Sequence, residues 1–133
     1  MELITTKVCM AKDIGVHGNL FGGYMMAYVD EAAAAYVCEI CNTPRMVTVK
    51  VSEFEFKRPV RVGHIIKFYG DVVKFGTTSI TVSIVVKKFS VYTQDEEIVT
   101  STNMTFVRID DEGSPIPISE RVKTAYYLKH NIK

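Results

Sequence analysis

Apolar and polar positions follow one rhythm in the first third of the chain and another afterwards. Leu3 to Met10 is a short apolar and β-branched run that predicts a first strand. The loop after it, Asp13-Ile14-Gly15-Val16-His17-Gly18-Asn19, is rich in residues that tolerate unusual backbone angles. Gly22-Gly23 then opens a long helical stretch, Tyr24 to about Cys41, where Met25, Val29, Ala32, Tyr36 and Ile40 recur at three- and four-residue spacing. Ala32-Ala33-Ala34-Ala35 thins the middle of this helix, so a sheet can wrap it closely and a central position is expected. Thr43-Pro44 ends it.

The remainder reads as sheet. Met46 to Lys57 alternates through Val47, Val49 and Val51, then shifts phase to Phe54 and Phe56, which predicts a bulge near Ser52. Arg58-Pro59 breaks that run. Further strands are predicted over Ile65 to Lys74, Thr78 to Phe89 and Ile98 to Ile109, and a terminal helix over Ser119 to His130. Connections that are mostly short imply antiparallel neighbours. The expectation is therefore an α+β chain, a curved antiparallel sheet of about five strands wrapped around one long central helix. Such a sheet has edges, and pairing into a homo-oligomer would cover them.

Composition narrows the function. The 133 residues fit one domain, 1–133, and hydrophobic residues make up 47% against 23% charged. A net charge of +1 argues against nucleic acid or an anionic membrane as the main partner. No stretch has the apolar length of a membrane span, and Met1-Glu2-Leu3-Ile4 lacks the lysines and apolar region of a signal peptide, so a cytoplasmic protein is expected. Cys9, Cys38 and Cys41 are an odd count without a secreted framework, so they are read as reduced thiols.

The stretch from Gly18 to Asp30 carries the chemistry. Glycines at a helix N-terminus let a ligand approach free amides at the positive end of the dipole, where a polarised carbonyl or its oxyanion could be held. Asp30 follows about two turns in, with Met26, Ala27, Ala33 and Ala34 at the neighbouring helical positions. None is basic, so a poorly solvated carboxylate is expected, able to act as a general base or as a nucleophile. Taken alone, the glycines are ordinary turn chemistry and the acid an ordinary solvated face; their combination on a central helix is what points to a site.

Gly18-Asn19-Leu20-Phe21-Gly22-Gly23, six residues on to Asp30 from Tyr24, resembles the signature of hotdog-fold acyl-CoA thioesterases of the short bacterial acyl-CoA hydrolase and brain acyl-CoA hydrolase type. Arg45-Met46-Val47-Thr48-Val49, Phe56-Lys57-Arg58-Pro59-Val60-Arg61-Val62-Gly63 and Gly76-Thr77-Thr78-Ser79-Ile80 match in the same order. The resemblance implies that Asp30 is the catalytic carboxylate and that Gly22 and Gly23 of a partner protomer bind the thioester oxygen. It implies a dimer as the minimal unit and leaves dimer, tetramer and hexamer open. Coenzyme A enters as part of the substrate, and no other cofactor is implied.

One position departs from the pattern. The family's loop asparagine falls on Gly15, leaving Asp13, His17 or Asn19 as possible stand-ins, with Asn19 the nearest amide. His17 also reads as a plain loop residue. The phosphates of CoA call for basic residues at a pocket mouth. Arg58 beside Pro59 is the first candidate, with Lys57, Arg45, Arg61, Lys87 and Lys88 behind it and Ser79 at the Gly76 turn as a pantetheine contact. Met25, Met26, Tyr28 and Phe54 would set the acyl tunnel. No His or Cys set has metal-site spacing, so no metal is expected. Cys38-Glu39-Ile40-Cys41 lies at a helix C-terminus, where the dipole opposes a thiolate, so a redox role is disfavoured. The rival readings are a hotdog hydratase or dehydratase, which would pair a histidine with the acid, and a non-catalytic acyl-CoA binder.

Overall fold

A computed structural model describes residues 1–131 of the chain. Its elements are β1 (Glu2–Val8), a 3-10 turn (Ala11–Asp13), α1 (Gly22–Cys41), β2 (Met46–Val51), β3 (Ile65–Phe75), β4 (Ser79–Phe89), β5 (Glu96–Arg108) and α2 (Glu120–Lys129). The five strands form one sheet in the order β1-β3-β4-β5-β2, with every neighbouring pair antiparallel. Short turns join β3, β4 and β5 into a meander, while β2 crosses to the far side of β5 and becomes an edge.

Period-two alternation makes β4 the centre of the sheet. Ile80, Val82, Ile84 and Val86 are buried on one face, flanked by Ile66 and Phe68 of β3 and by Met104 and Phe106 of β5. Helix α1 lies across that face through Met25, Val29, Ala32, Ala33, Tyr36, Val37 and Cys41. The buried stripe is broader than the sequence spacing suggests: Ile40 is only partly covered, whereas Ala33, Val37 and Cys41 are buried, because the curved sheet reaches around both flanks of the thin helix. Gly70 of β3 admits the Tyr36 ring, since a Cβ there would stand 2.9 Å from Tyr36 Cε2 and 2.7 Å from Ile4 Cδ1.

Two local expectations need correcting. The bulge in β2 falls between Thr48 and Lys50, not near Ser52. The strand predicted to Lys57 also stops at Val51. Beyond it the chain runs beside β5 without a regular ladder: Ser52 N–H donates to the Asn103 carbonyl at 2.9 Å and Lys57 N–H to the Val99 carbonyl at 2.8 Å. The buried hydroxyls of Thr100 and Thr102 donate to the carbonyls of Glu55, at 2.5 Å, and Ser52, at 3.3 Å. Side-chain hydroxyls thus replace backbone donors, which is the physical form of the phase change at Phe54. Among the described residues, no helix is long and apolar enough to cross a membrane.

Candidate active site

The loop before α1 is built as a small hairpin. Ile14 bridges Leu20, Gly15 N–H donates to the Asn19 carbonyl at 2.8 Å, and Gly18 N–H donates to the Gly15 carbonyl at 3.2 Å with φ of 80°. Leu20 N–H then bonds the Val60 carbonyl at 2.7 Å, and Phe21, in an extended conformation, caps α1. The helix starts at Gly22, two residues earlier than the apolar spacing alone suggests. A Cβ at Gly22 would stand 3.2 Å from the Phe56 ring, and one at Gly23 only 2.8 Å from the Phe21 ring. The glycines thus let the Phe56 and Phe21 rings lie close against the backbone of this helix end, where the first amides have no intrahelical acceptor.

Two clefts meet at this point. One, of ≈ 260 Å³, has Leu20, Met25, Val60 and Val99 as its apolar wall and Asn19, Gly22, Lys57 and Arg58 as its polar rim. The other, of ≈ 480 Å³, gathers Gly15, His17, Asn19, Gly22 and Tyr24 under the hairpin. Asn19, Gly22, Lys57, Arg58 and His17, all nominated from the sequence, thus come together around the start of α1. Asn19 and Gly22 belong to both clefts. Met25 serves as core and as cleft wall at once, whereas Met26 is exposed.

Asp30 stands apart from both. Its carboxylate is exposed in the single protomer and accepts a hydrogen bond from Thr48 Oγ1 at 2.7 Å. The poorly solvated setting expected for it is absent here, because this flank of α1 faces away from the sheet's buried centre. Eight residues separate Asp30 from Gly22, about 12 Å along the helix axis, so one protomer cannot bring the two to the same substrate atom. Large apolar side chains are exposed on the same elements: Phe21, Tyr24 and Met26 at the start of α1, Val47, Val49 and Val51 on β2, and Phe56 after it.

The other candidates are dispersed. Ser79 precedes buried Ile80 on β4, so alternation turns it to the outer face, where it closes the Gly76 turn by accepting the Gly76 N–H at its carbonyl, 2.8 Å. Arg58 pairs with Glu97 at 3.7 Å, and Lys88 donates to the Pro59 carbonyl at 2.8 Å. Arg45 pairs with Asp111 at 2.9 Å, beyond the end of β5 opposite to Glu97. Cys38 and Cys41 are free; burial, helped by neighbouring Cys38, pushes the Cys41 thiol up to about 11, which suppresses the thiolate. Among the described residues, no three His, Cys, Asp or Glu side chains converge as metal ligands would.

Two polar residues gain a role that the pattern did not announce. Thr48 reaches Asp30 because it lies on the inward face of edge strand β2, opposite buried Phe106. Its signal was the lone hydroxyl within Val47-Thr48-Val49. Asp13, weighed above as a stand-in for the absent asparagine, is buried and fully engaged. It accepts the Tyr28 hydroxyl on Oδ1 and Met10 N–H on Oδ2 at 2.9 Å, with Lys12 Nζ 3.7 Å away. The Tyr28 bond, backed by the Met10 amide, holds its pKa below the usual carboxylate range against the opposing effect of burial. Asp13 ties the loop to α1, which leaves Asn19 and His17 as the side chains facing the clefts.

Known proteins share this architecture. A sequence profile of the thioesterase superfamily matches residues 17–93. The acyl-CoA thioester hydrolase YciA of Salmonella typhimurium is 34% identical over 120 residues, spanning 88% of this chain and 90% of the relative. A hexameric hotdog fold thioesterase of Campylobacter jejuni aligns with a TM-score of 0.84 at 35% identity, covering 94% of this chain and 96% of that one. A hexameric broad-specificity acyl-coenzyme A thioesterase reaches a TM-score of 0.87 at 28% identity, with 97% of both chains covered. By its sequence profile, its relatives and its sheet wrapped around a single long helix, this chain belongs to the thioesterase superfamily and has the hotdog fold.

Proposed function

We propose that the protein hydrolyses acyl-CoA thioesters, releasing CoA and a carboxylic acid. The observation that carries this reading is an exposed, Thr48-bonded carboxylate on α1, the same helix whose glycine start lines the Asn19 cleft. The relatives' acyl-CoA thioester hydrolase names supply the substrate class.

Asp30 acts as general base toward water, or as nucleophile, on the thioester carbon. The amides of Gly22 and Gly23 hold the carbonyl oxygen as negative charge grows on it. Because about 12 Å separates these groups within one chain, the amides come from a partner protomer and the dimer is the smallest catalytic unit. Docking a second copy against the exposed apolar side chains of α1 and β2 also covers β2, an unpaired edge, and removes Asp30 from bulk water. Higher assembly by such dimers accords with the hexamers named among the solved structures.

Asn19 at the meeting of the clefts orients the thioester or the attacking water in place of the asparagine that Gly15 lacks. The acyl chain enters the apolar wall formed by Leu20, Met25, Val60 and Val99, while Arg58 and Lys57 at the rim meet the CoA phosphates, with His17 beside the loop. Coenzyme A arrives with the substrate, and no metal or separate cofactor takes part. A hydratase would need a histidine beside the acid, whereas His17 lies in the exposed hairpin ahead of α1.

Purified protein should release free thiol from acyl-CoA, followed with a thiol-reactive dye. Asp30→Asn should lower kcat at least a hundredfold while leaving assembly, by light scattering, unchanged, since loss of a positioned base costs 10²–10⁴-fold. Undiminished turnover in that variant would remove Asp30 from the chemistry, and enoyl or hydroxyacyl products would favour the hydratase instead.

A further inference from the structure

Helix α2 buries little of itself. Tyr126 is its one buried residue, packed edge-on against Phe75 at the end of β3 with 5.8 Å between ring centres. The last turn ends at His130, the C-cap, whose ring lies nearly parallel to that of Tyr126 with 4.0 Å between centres. His130 Nδ1 stands 3.0 Å from the Tyr126 carbonyl, and Nε2 stands 2.7 Å from Glu2 Oε1 at the start of β1. One side chain therefore joins the end of α2 to the first strand. Glu2 and His130 both line the ≈ 640 Å³ cleft between α2 and the C-terminal half of α1.

Both partners of this ring can only accept. A neutral imidazole donates from one nitrogen alone, so the two contacts are complete together only when His130 is an imidazolium. Its place at a helix C-terminus favours the same charge, as does the Tyr126 ring beneath it. The Glu2 bond first, then the Tyr126 carbonyl, raise the His130 pKa against the smaller opposition of burial and Lys129. The neighbouring elements add charges of both signs. Glu39 of α1 and Arg121 of α2 face the cleft, and Asp71 of β3 lies 3.9 Å from the Met1 amine. Burial first of all pushes the Tyr36 and Tyr126 phenols up, so both keep their protons near neutral pH. Carboxylates, lysines and arginines do not ordinarily titrate between about pH 6 and 9, whereas histidines and α-amines do. His130 and the Met1 amine are thus the two groups to tell apart.

We propose that His130 and Glu2 form a proton-controlled latch, which fastens the end of α2 to β1 when the imidazole is charged and frees it when the proton leaves. The latch uses no residue of the proposed thioester centre and holds whether or not that reading does. Because the folded pKa is raised, fastening is complete below the ordinary histidine value, about 6.5, and is lost as pH rises through the folded value. Histidine C2–H exchange, read by mass spectrometry on the full chain, should place the His130 pKa above that of the unfolded chain, and Glu2→Gln should lower it. Amide exchange over α2, corrected for its intrinsic pH dependence, should show protection falling between about pH 6 and pH 9, while β4 stays level. The two readings are linked: a pKa raised by one unit predicts a tenfold loss of protection at the end of α2. His130→Gln, which carries no charge, should be poorly protected there at both pH values. The inference is overturned if His130 titrates at or below its unfolded value, if α2 protection in the parent does not change with pH, or if His130→Gln matches the parent at pH 6. An equal fall in Glu2→Gln and the parent also overturns it, since the Met1 amine would then carry the effect.

Discussion

Asp13 and Asp30 lie seventeen residues apart in chain and make opposite demands on their surroundings. Asp13 is buried with every near contact favouring its charge, and it holds the loop that shapes the helix start. Asp30 is exposed with one hydroxyl donor, as suits the role proposed for it at the thioester. The two shifts at the Asp13–Tyr28 pair agree: the shared bond lowers the Asp13 pKa and, with burial, raises Tyr28 to about 12. For Asp13 the contribution to stability is present above the unfolded value, about 3.9, and fades as pH falls through the depressed folded value. For Tyr28 it is present below about 10 and fades as pH rises toward 12. The clamp should therefore be intact between about pH 4 and pH 10. Asp13→Ala should cost about 2–3 kcal/mol at pH 7, since it strands two donors of a charge-assisted network. Urea unfolding measures this, and the difference from the parent should shrink at strongly acid pH.

Elements carried unequal amounts of information in the sequence. Helix α1 and strands β3, β4 and β5 were legible because their apolar residues repeat at 3.6 or 2 over ten or more positions, and each repeat reports the same buried face. The segment from Ser52 to Lys57 was not, because its carbonyls are satisfied by Thr100 and Thr102, residues about fifty positions away whose hydroxyls look like ordinary strand polarity. The same reasoning explains the candidate site. The glycine pair and Asp30 stand out locally, whereas the outward turn of Ser79 and the engagement of Asp13 by Tyr28 depend on register and packing that no short motif encodes. Thr100→Val tests the element-level point. It keeps shape but strands the Glu55 carbonyl, so it should cost about 1–3 kcal/mol. By loosening the segment that carries Lys57 and Arg58, it should also raise KM for acyl-CoA more than it lowers kcat.

At the scale of the whole molecule, one protomer leaves three things unfinished. Its β2 edge is unpaired, large apolar side chains such as Phe21, Tyr24, Val49 and Phe56 are exposed, and its carboxylate and glycine amides are out of mutual reach. In the proposed dimer a second copy would resolve all three, which is why the proposed chemistry belongs to an assembly. Complementation between two inactive variants tests that claim most directly. Asp30→Asn removes the carboxylate, and Gly23→Val forces the Phe21 ring over the helix start, as the 2.8 Å approach implies. Each should be inactive alone. Co-expressed, random pairing puts one intact composite site in half of the dimers, so about a quarter of the parent thiol-release rate should return. Recovery near that level is the expected result. Mixed assemblies that form, by mass spectrometry, yet stay as inactive as either parent variant would contradict a site shared between protomers.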